Sequence, residues 1–487
     1  MNEIKLHAQL EPKEIWYYFE KICQIPRASK NEGKIIQYLF DFAATNHLDI
    51  KKDSTGNVLI KKPASKGMES KPIIVLQSHL DMVCEKNSNI SHNFTTDPIY
   101  PIIDGDWIKA RGTTLGADDG IGIAAQLALL SSSDIQHGTI ECLFTIDEET
   151  GLSGANNLEP GFFDGKILLN LDSEDEGIIF IGCAGGIDTV GNIKLKLTKP
   201  PDDVVFYRIN VSGLQGGHSG DDINKGLGNA IKIVARIVWQ LFNEFKIYIV
   251  NLEGGNLRNA ISREAYAEIA FNNKIEKNLL LFIESISSAI KSEFRDTDNN
   301  IQITFSEIRQ GTSILEPLSA KLLLNIIYGL PHGATGMSHV IKGLVETSTN
   351  LASVKRIKRS EYEIATNQRS SSISLRDDIV NSVSSIFLLG KIEIKNSTGY
   401  PGWKPNPSSP ILQIAKGSYK QIFRNEPIVT AIHAGLECGL FLEKFPDLDM
   451  ISFGPTIKGA HSPDERLEIE SVNKFWKFLL EILKNVS

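Results

Sequence analysis

The stretch IIVLQSHLDMV, residues 73–83, is a short apolar run that stops abruptly at a histidine and an aspartate. Three more runs have the same build: IECLFTI (140–146), ILLNL (167–171) and MISF (450–453). Short, nearly continuous apolar runs are typical of strands buried on both faces of a sheet. Between the first two lies IGIAAQLALL (121–130), which reads as a helix. Strands alternating with helices predict an α/β sheet with helices on its faces. Toward the amino terminus, Pro12 suits a first helical turn, and Ile15, Trp16, Phe19, Ile22 and Cys23 recur at helical spacing. At the other end Ser471 reads as an N-cap before the stripe Val472, Phe475, Trp476, Leu479, Leu480, Leu483 and Val486.

From about Gly185 the texture changes. Val204–Val211, Ala265–Phe271 and Ile301–Phe305 read as strands, alternating with long helical stretches near Asn229–Phe245 and Lys277–Glu293. This predicts a second, α+β domain running to about Ile394. The tract STGYPGWKPNPSSP (397–410), dense in Pro, Gly and Ser, marks a return to the first domain. The expected organisation is therefore 1–185 and 395–487 for the first domain, with 186–394 inserted.

Composition excludes several classes. The chain has 487 residues, with 41% hydrophobic and 23% charged residues, ordinary for a globular protein. The net charge of −8, from 51 basic and 59 acidic residues, lacks the basic excess a nucleic-acid binder needs. No apolar run reaches the roughly 20 residues of a membrane helix. The amino-terminal residues lack the basic-then-apolar layout of a signal peptide. Five scattered cysteines, odd in number and without a CxxC, read as reduced thiols in the cytoplasm.

Five segments carry the chemistry. SHLDMV places His79 and Asp81 on one face of a strand end, because side chains alternate with period two. A carboxylate there can bond the second nitrogen of a metal-bound imidazole; taken alone, the pair reads first as a surface loop. LGADDGIGIAA sets Asp118 and Asp119 between glycines at the start of a helix, where carboxylates also simply complement the dipole. IDEETG puts Asp147, Glu148 and Glu149 after a strand; these acids repel unless a cation neutralises them or the loop is solvated. LLNLDSEDEG ends a run at Asp172, and GAHSPDERL holds His461 in a loop. Four of these lie at or just beyond the carboxyl ends of predicted strands, the edge where open α/β sheets bind ligands. Imidazole and carboxylate together suit a borderline-hard divalent metal, zinc first.

In this order and spacing, the five segments resemble the M20 family of metallopeptidases. With GGHSG, GWKPNP, HAGLECG and GPTIKGAHSPDE the likeness is closest to its bacterial aminoacyl-histidine dipeptidase branch, and it spans essentially the whole chain. The resemblance implies a two-metal catalytic domain, a mixed sheet flanked by helices, with an inserted α+β lid used for dimerisation. It implies two divalent metal ions, most simply Zn. Asp118 would bridge them, His79 and Asp172 would hold one, and Glu149 and His461 the other. Asp81 would orient His79, Glu148 would be the general base, and the Asp118–Asp119 peptide would be cis. His218, in GLQGGHSGDD, would reach an active site, its own or the partner subunit's. Asn259 and Arg369 resemble lid residues that hold a substrate carboxylate, and Gly435 would offer backbone groups near the substrate. Asp rather than Glu at position 172 is the family's tendency in aminopeptidases and dipeptidases. The expected activity is hydrolysis of dipeptides with a free amino terminus, Xaa-His among them, by a cytoplasmic homodimer that binds neither nucleic acid nor membrane. The alternatives are another M20 activity, such as a tripeptidase or N-acyl amino acid hydrolase, and a non-catalytic binding protein.

Overall fold

The structure, a computed structural model, describes residues 5–309 and 311–486. The chain divides into two units, Met1–Gly182 with Pro405–Ala431 and Leu436–Ser487, and Cys183–Lys404 with Ile432–Gly435.

The first unit is built on an eight-stranded mixed sheet. Its strands are β1 (Asp49–Lys52), β2 (Val58–Lys62), β3 (Ile74–His79), β4 (Ile140–Thr145), β5 (Ile167–Asn170), β6 (Ile178–Cys183), β7 (Ile428–Ile432) and β8 (Asp449–Ser452), in the order β1-β2-β4-β3-β5-β8-β6-β7. The central four, β4-β3-β5-β8, are parallel. They correspond to the four apolar runs, and they end on the same edge at Thr145, His79, Asn170 and Ser452. β3 and β4 are buried along their whole length, which explains why their sequences do not alternate.

The helices are α1 (Lys13–Cys23), α2 (Gly33–Thr45), α3 (Ala117–Ser131), the single turn α4 (Glu148–Gly151), α5 (Pro410–Phe423), α6 (Glu437–Lys444) and α7 (Ile469–Asn485). Every residue of α3 from Asp119 to Leu130 is buried, as a helix that is apolar all round must be. It packs against β3 and α1, while α5 packs against β8 and α7.

Two helix starts differ from the sequence expectation. Pro12 stands at the N-cap position, outside the first turn of α1. Ser471 does not cap α7, which begins two residues earlier with Glu468 at the N-cap. The Ser471 hydroxyl instead donates to Glu468 O (2.7 Å) and accepts from Thr456 N (2.9 Å).

The second unit has an antiparallel sheet in which Gln302–Glu307, Val204–Ser212, Ala265–Asn272, Ile247–Gly254, Val345–Lys358, Glu361–Ser370, Gly185–Lys194 and Glu393–Asn396 follow one another, with Gly333–Met337 paired to Val345–Lys358. Its core is sealed by the helices Ala230–Glu244, Glu276–Glu293, Pro317–Gly329 and Ile373–Leu389. Asn229 caps the first of these by accepting from Ile231 N and Lys232 N. The chain is thus an α/β unit with a mixed sheet and an α+β unit inserted in its sequence, the class its patterning predicts. Among the described residues, no helix is long and apolar enough to cross a membrane.

Candidate metal centre

The parallel strand ends deliver the acidic and imidazole side chains to one place. His79 is the last residue of β3, and Asp172 follows β5 by two residues. Glu148 and Glu149 open α4 just after β4, and His461 lies in the loop beyond β8. His79 Nε2 lies 3.0 Å from Asp118 Oδ1 and 3.3 Å from Asp172 Oδ1. His461 Nε2 lies 3.2 Å from Asp118 Oδ2 and 3.0 Å from Glu149 Oε2. The two oxygens of Asp118 therefore face two different His–carboxylate pairs. Donors arranged tetrahedrally at about 2.0–2.1 Å from an ion stand roughly 3.3 Å apart, close to these separations.

The charge balance fits a cation as well. The carboxyls of Asp81, Asp118, Glu148, Glu149, Asp172 and Glu174 interact with one another and with these two imidazoles. Glu149 Oε1 is buried without a hydrogen-bond partner. Burial opposes charge on His79, but Asp172, Asp118 and Asp81 outweigh it and hold the ring well above its ordinary pKa. Bonds to Asp118 and Glu149 push His461 up to about 11. Burial raises Glu148 well above the usual carboxylate range, and Asp172 to about 6. The pocket thus favours positive charge at the two ring nitrogens, the position where divalent cations would lie. His79, Asp118 and Asp172 form one donor group, Asp118, Glu149 and His461 another, and His79, Glu148 and Glu149 a third.

The groups behind the donors fix the backbone. Asp81 Oδ1 accepts from Glu148 N (3.0 Å), while Oδ2 accepts from Glu149 N (3.2 Å) and Ser29 Oγ (2.7 Å). The His79 ring nitrogen Nδ1 lies 3.2 Å from Asp81 O and 3.5 Å from Asp81 Oδ1. Asp81 therefore holds the acidic turn as much as the imidazole. Glu465 is fully engaged by backbone: Leu115 N (2.7 Å), Gly116 N (2.9 Å), Ala117 N (2.7 Å) and Asp118 N (3.3 Å) all donate to its carboxylate. Buried Arg27 donates to Leu80 O (3.0 Å), Asp81 O (2.5 Å) and Gly116 O. Gly116 adopts φ +69°, and a Cβ there would stand 2.7 Å from that guanidinium. The Asp118–Asp119 peptide is cis.

Sequence reading missed Glu465 and Arg27. Glu465 was visible as an acid four residues past His461; Arg27 carries no local signal.

The other four expected residues cluster in the second unit. His218 pairs through backbone with Ala260, and its Nδ1 lies 3.3 Å from Asp221 Oδ2. Ser219 N donates to Asn259 O (2.8 Å), whose side chain is exposed. Buried Arg369 donates to Asn367 Oδ1 (2.9 Å), Tyr400 Oη (3.0 Å) and Ser219 Oγ (3.2 Å). A guanidinium has five donors, so these bonds do not exhaust it. Gly435 backs onto the same Tyr400, whose ring a Cβ there would meet at 2.8 Å. His433 belongs to this cluster too: burial and Arg369 lower it to about 3, and Ser348 Oγ lies 2.7 Å from its Nε2.

The model of peptidase family M20/M25/M40 matches residues 75–485. The chain belongs to this family and is a peptide hydrolase. It is 40% identical over 479 residues to the cytosol non-specific dipeptidase of Escherichia coli (strain K12), covering 98% of this chain and 99% of that protein. Its structure is similar to that of aminoacylhistidine dipeptidase from Vibrio alginolyticus, with a TM-score of 0.90, 40% identity, and 99% and 98% of the two chains covered. Aminopeptidase PepT from Bacillus cereus ATCC 10987 shares the fold, with a TM-score of 0.58 at 16% identity over 98% and 99% of the chains.

Proposed function

We propose that this peptide hydrolase cleaves dipeptides with a free amino terminus, Xaa-His dipeptides among them, in a reaction that needs two divalent metal ions, zinc first. The observation that carries this reading is the two-sided Asp118 carboxylate, with one His–carboxylate pair on each of its oxygens. His79, Asp118 and Asp172 would hold one ion, and Asp118, Glu149 and His461 the other. Two such ions supply an acidified water and polarise the scissile carbonyl.

The chain's own residues divide the remaining work. Glu149 is committed to His461, which leaves the adjacent Glu148 to take the attacking water's proton and return it to the leaving amine. Asp81 keeps both glutamates in place by accepting from their backbone N–H groups, and it orients the His79 ring. His218 is read as a donor to the developing oxyanion. Arg369, held by the Tyr400 and Ser219 hydroxyls, and Asn259 would bind the substrate's C-terminal carboxylate, with Gly435 offering backbone beside it. The high-identity relatives are named as dipeptidases, which supports the substrate class. Five cysteines without a disulfide support a reducing compartment. A homodimer is part of the reading, and sedimentation of the purified protein tests it.

The deciding experiment measures metal content and turnover of Xaa-His dipeptides, tripeptides and N-acetyl amino acids, before and after chelation. The reading expects two ions per chain and hydrolysis of the dipeptides that is lost on chelation and restored by zinc. Preference for tripeptides or N-acetyl amino acids would overturn the substrate class, and activity that survives complete metal removal would overturn the mechanism.

A further inference from the structure

Beneath the donors lies a polar network that the mechanism does not use. Glu437, the first residue of α6, is completely buried. Its Oε2 accepts from Gln77 Nε2 (2.6 Å) and from Thr145 Oγ1 (2.8 Å). The amide of Gln77 also donates to Thr145 Oγ1 (3.1 Å), and its Oε1 accepts from Asn170 Nδ2 (2.6 Å). These three partners sit on three neighbouring parallel strands, β3, β4 and β5. Each stands just before a donor. Gln77 is two residues before His79 and Asn170 two before Asp172, the spacing that puts side chains on the same face. Thr145 is the last residue of β4, and the acidic turn follows it.

Such a network is a poor choice for stability alone. Burying polar groups costs stability unless each is hydrogen-bonded, and Glu437 Oε1 has no partner among the described residues. The backbone ladder gives out here, its last rung between β3 and β4 being His79 with Thr145. Beyond that rung, among the described residues, only Leu80 N, bonded to Thr145 O (2.8 Å), and the Asp81 carboxylate, bonded to Glu148 N and Glu149 N, join the continuations of β3 and β4, and the donor atoms must still meet within hydrogen-bonding distances.

We propose that Glu437 is a positioning residue for the metal centre, tying the ends of β3, β4 and β5 together so that His79, Glu149 and Asp172 converge. The inference rests on the reading of those residues as metal ligands. Glu437 touches no substrate; it acts through Gln77 and Thr145. Outer partners of metal ligands typically change metal affinity by about 10–100-fold when removed.

The test measures Zn2+ affinity of the full chain by competition with a chromophoric chelator, together with the visible spectrum of the Co2+-loaded protein. Glu437→Leu keeps the volume but accepts no hydrogen bond, and is expected to weaken zinc binding about 10–100-fold and to alter the cobalt spectrum. Glu437→Gln still accepts through its amide oxygen and is expected to restore both. Glu141 is the control. It is equally buried on β4, but accepts from Asp164 N (2.8 Å) and Gly165 N (3.0 Å), away from the donors. Glu141→Leu is expected to lower the melting temperature and leave zinc affinity unchanged. If Glu437→Leu does not fold, Thr145→Val decides, with a smaller loss of affinity expected. Unchanged affinity in the folded variant, or an equal loss in Glu141→Leu, overturns the inference. A wild-type chain that binds no zinc overturns the underlying metal reading instead.

Discussion

The two halves of the candidate metal centre share Asp118 and the same ligand types, yet they are built differently. In the first half, His79 and Asp172 are 1% and 7% exposed and sit on or just past strand ends. In the second, Glu149 is 5% exposed, but His461 is 53% exposed, at φ +62° in a loop well beyond β8. One half inherits its geometry from the sheet, whereas the other depends on a loop to bring its imidazole back. The burial of the first should make its ligands costly to remove, and the exposure of the second should make its ion exchangeable.

The largest effect should separate the adjacent glutamates. Glu148→Ala is expected to keep both ions and lose about 10²–10⁴-fold in kcat, the range for a general acid or base. Glu149→Ala should instead lose the second ion, measured as metal per chain. If Glu148→Ala turns over near the wild-type rate, the assignment of the base is wrong. His218→Ala, in the other unit, is expected to lower kcat by about 10²–10³-fold if it stabilises the oxyanion, with metal content unchanged; an unaffected rate removes it from the mechanism.

The two histidines test the comparison directly. His79→Ala leaves the buried carboxylates of Asp172, Asp118 and Asp81 without their shared imidazole, and removing one partner of a buried charged group typically costs about 3–5 kcal/mol. Thermal unfolding of the metal-free variant should show that loss. His461→Ala also takes an ion-pair partner from Asp118 and buried Glu149, but its ring is half exposed, so the metal-free protein should lose less stability than with His79→Ala while binding one ion fewer. Equal destabilisation by both changes would erase the distinction between the halves.

The same contrast explains what could be read from the sequence. Strands buried on both faces announce themselves as apolar runs, so β3, β4, β5 and β8 were legible, and with them the edge at which His79, Glu148, Glu149 and Asp172 emerge. α3 was legible as a helix between β3 and β4, though its burial on every side was not. His461 emerged from motif spacing, because no periodic pattern extends into its loop. Asp81 apart, the bonds that support the donors were not legible. Glu437 bonds Gln77 across 360 positions of chain, and Glu465 bonds Leu115 across 350. Local pattern carries no information about such partners. Ser471 shows the limit at short range: its hydroxyl had the right chemistry for a cap, but Thr456 N, fifteen residues upstream, claims it.

The smallest effect expected is also the most specific to the asymmetry. An ion held by His461 has one ligand that solvent and a chelator reach without opening the fold, while an ion held by His79 and Asp172 has ligands that are released only if the strand ends part. Dilute chelator should therefore remove metal in two phases, the faster matching the half that His461→Ala empties. Under the same treatment Glu437→Leu should speed both phases, the slow one more, because its partner Gln77 and Gln77's own partner Asn170 lie behind His79 and Asp172, while its other partner, Thr145, lies behind the turn that carries Glu149. Rates followed with a metal-sensitive dye would resolve this. A single phase in the wild type would mean that the shared Asp118 couples the ions so tightly that the two halves release as one, and the difference in burial between His79 and His461 would then have no consequence for metal exchange.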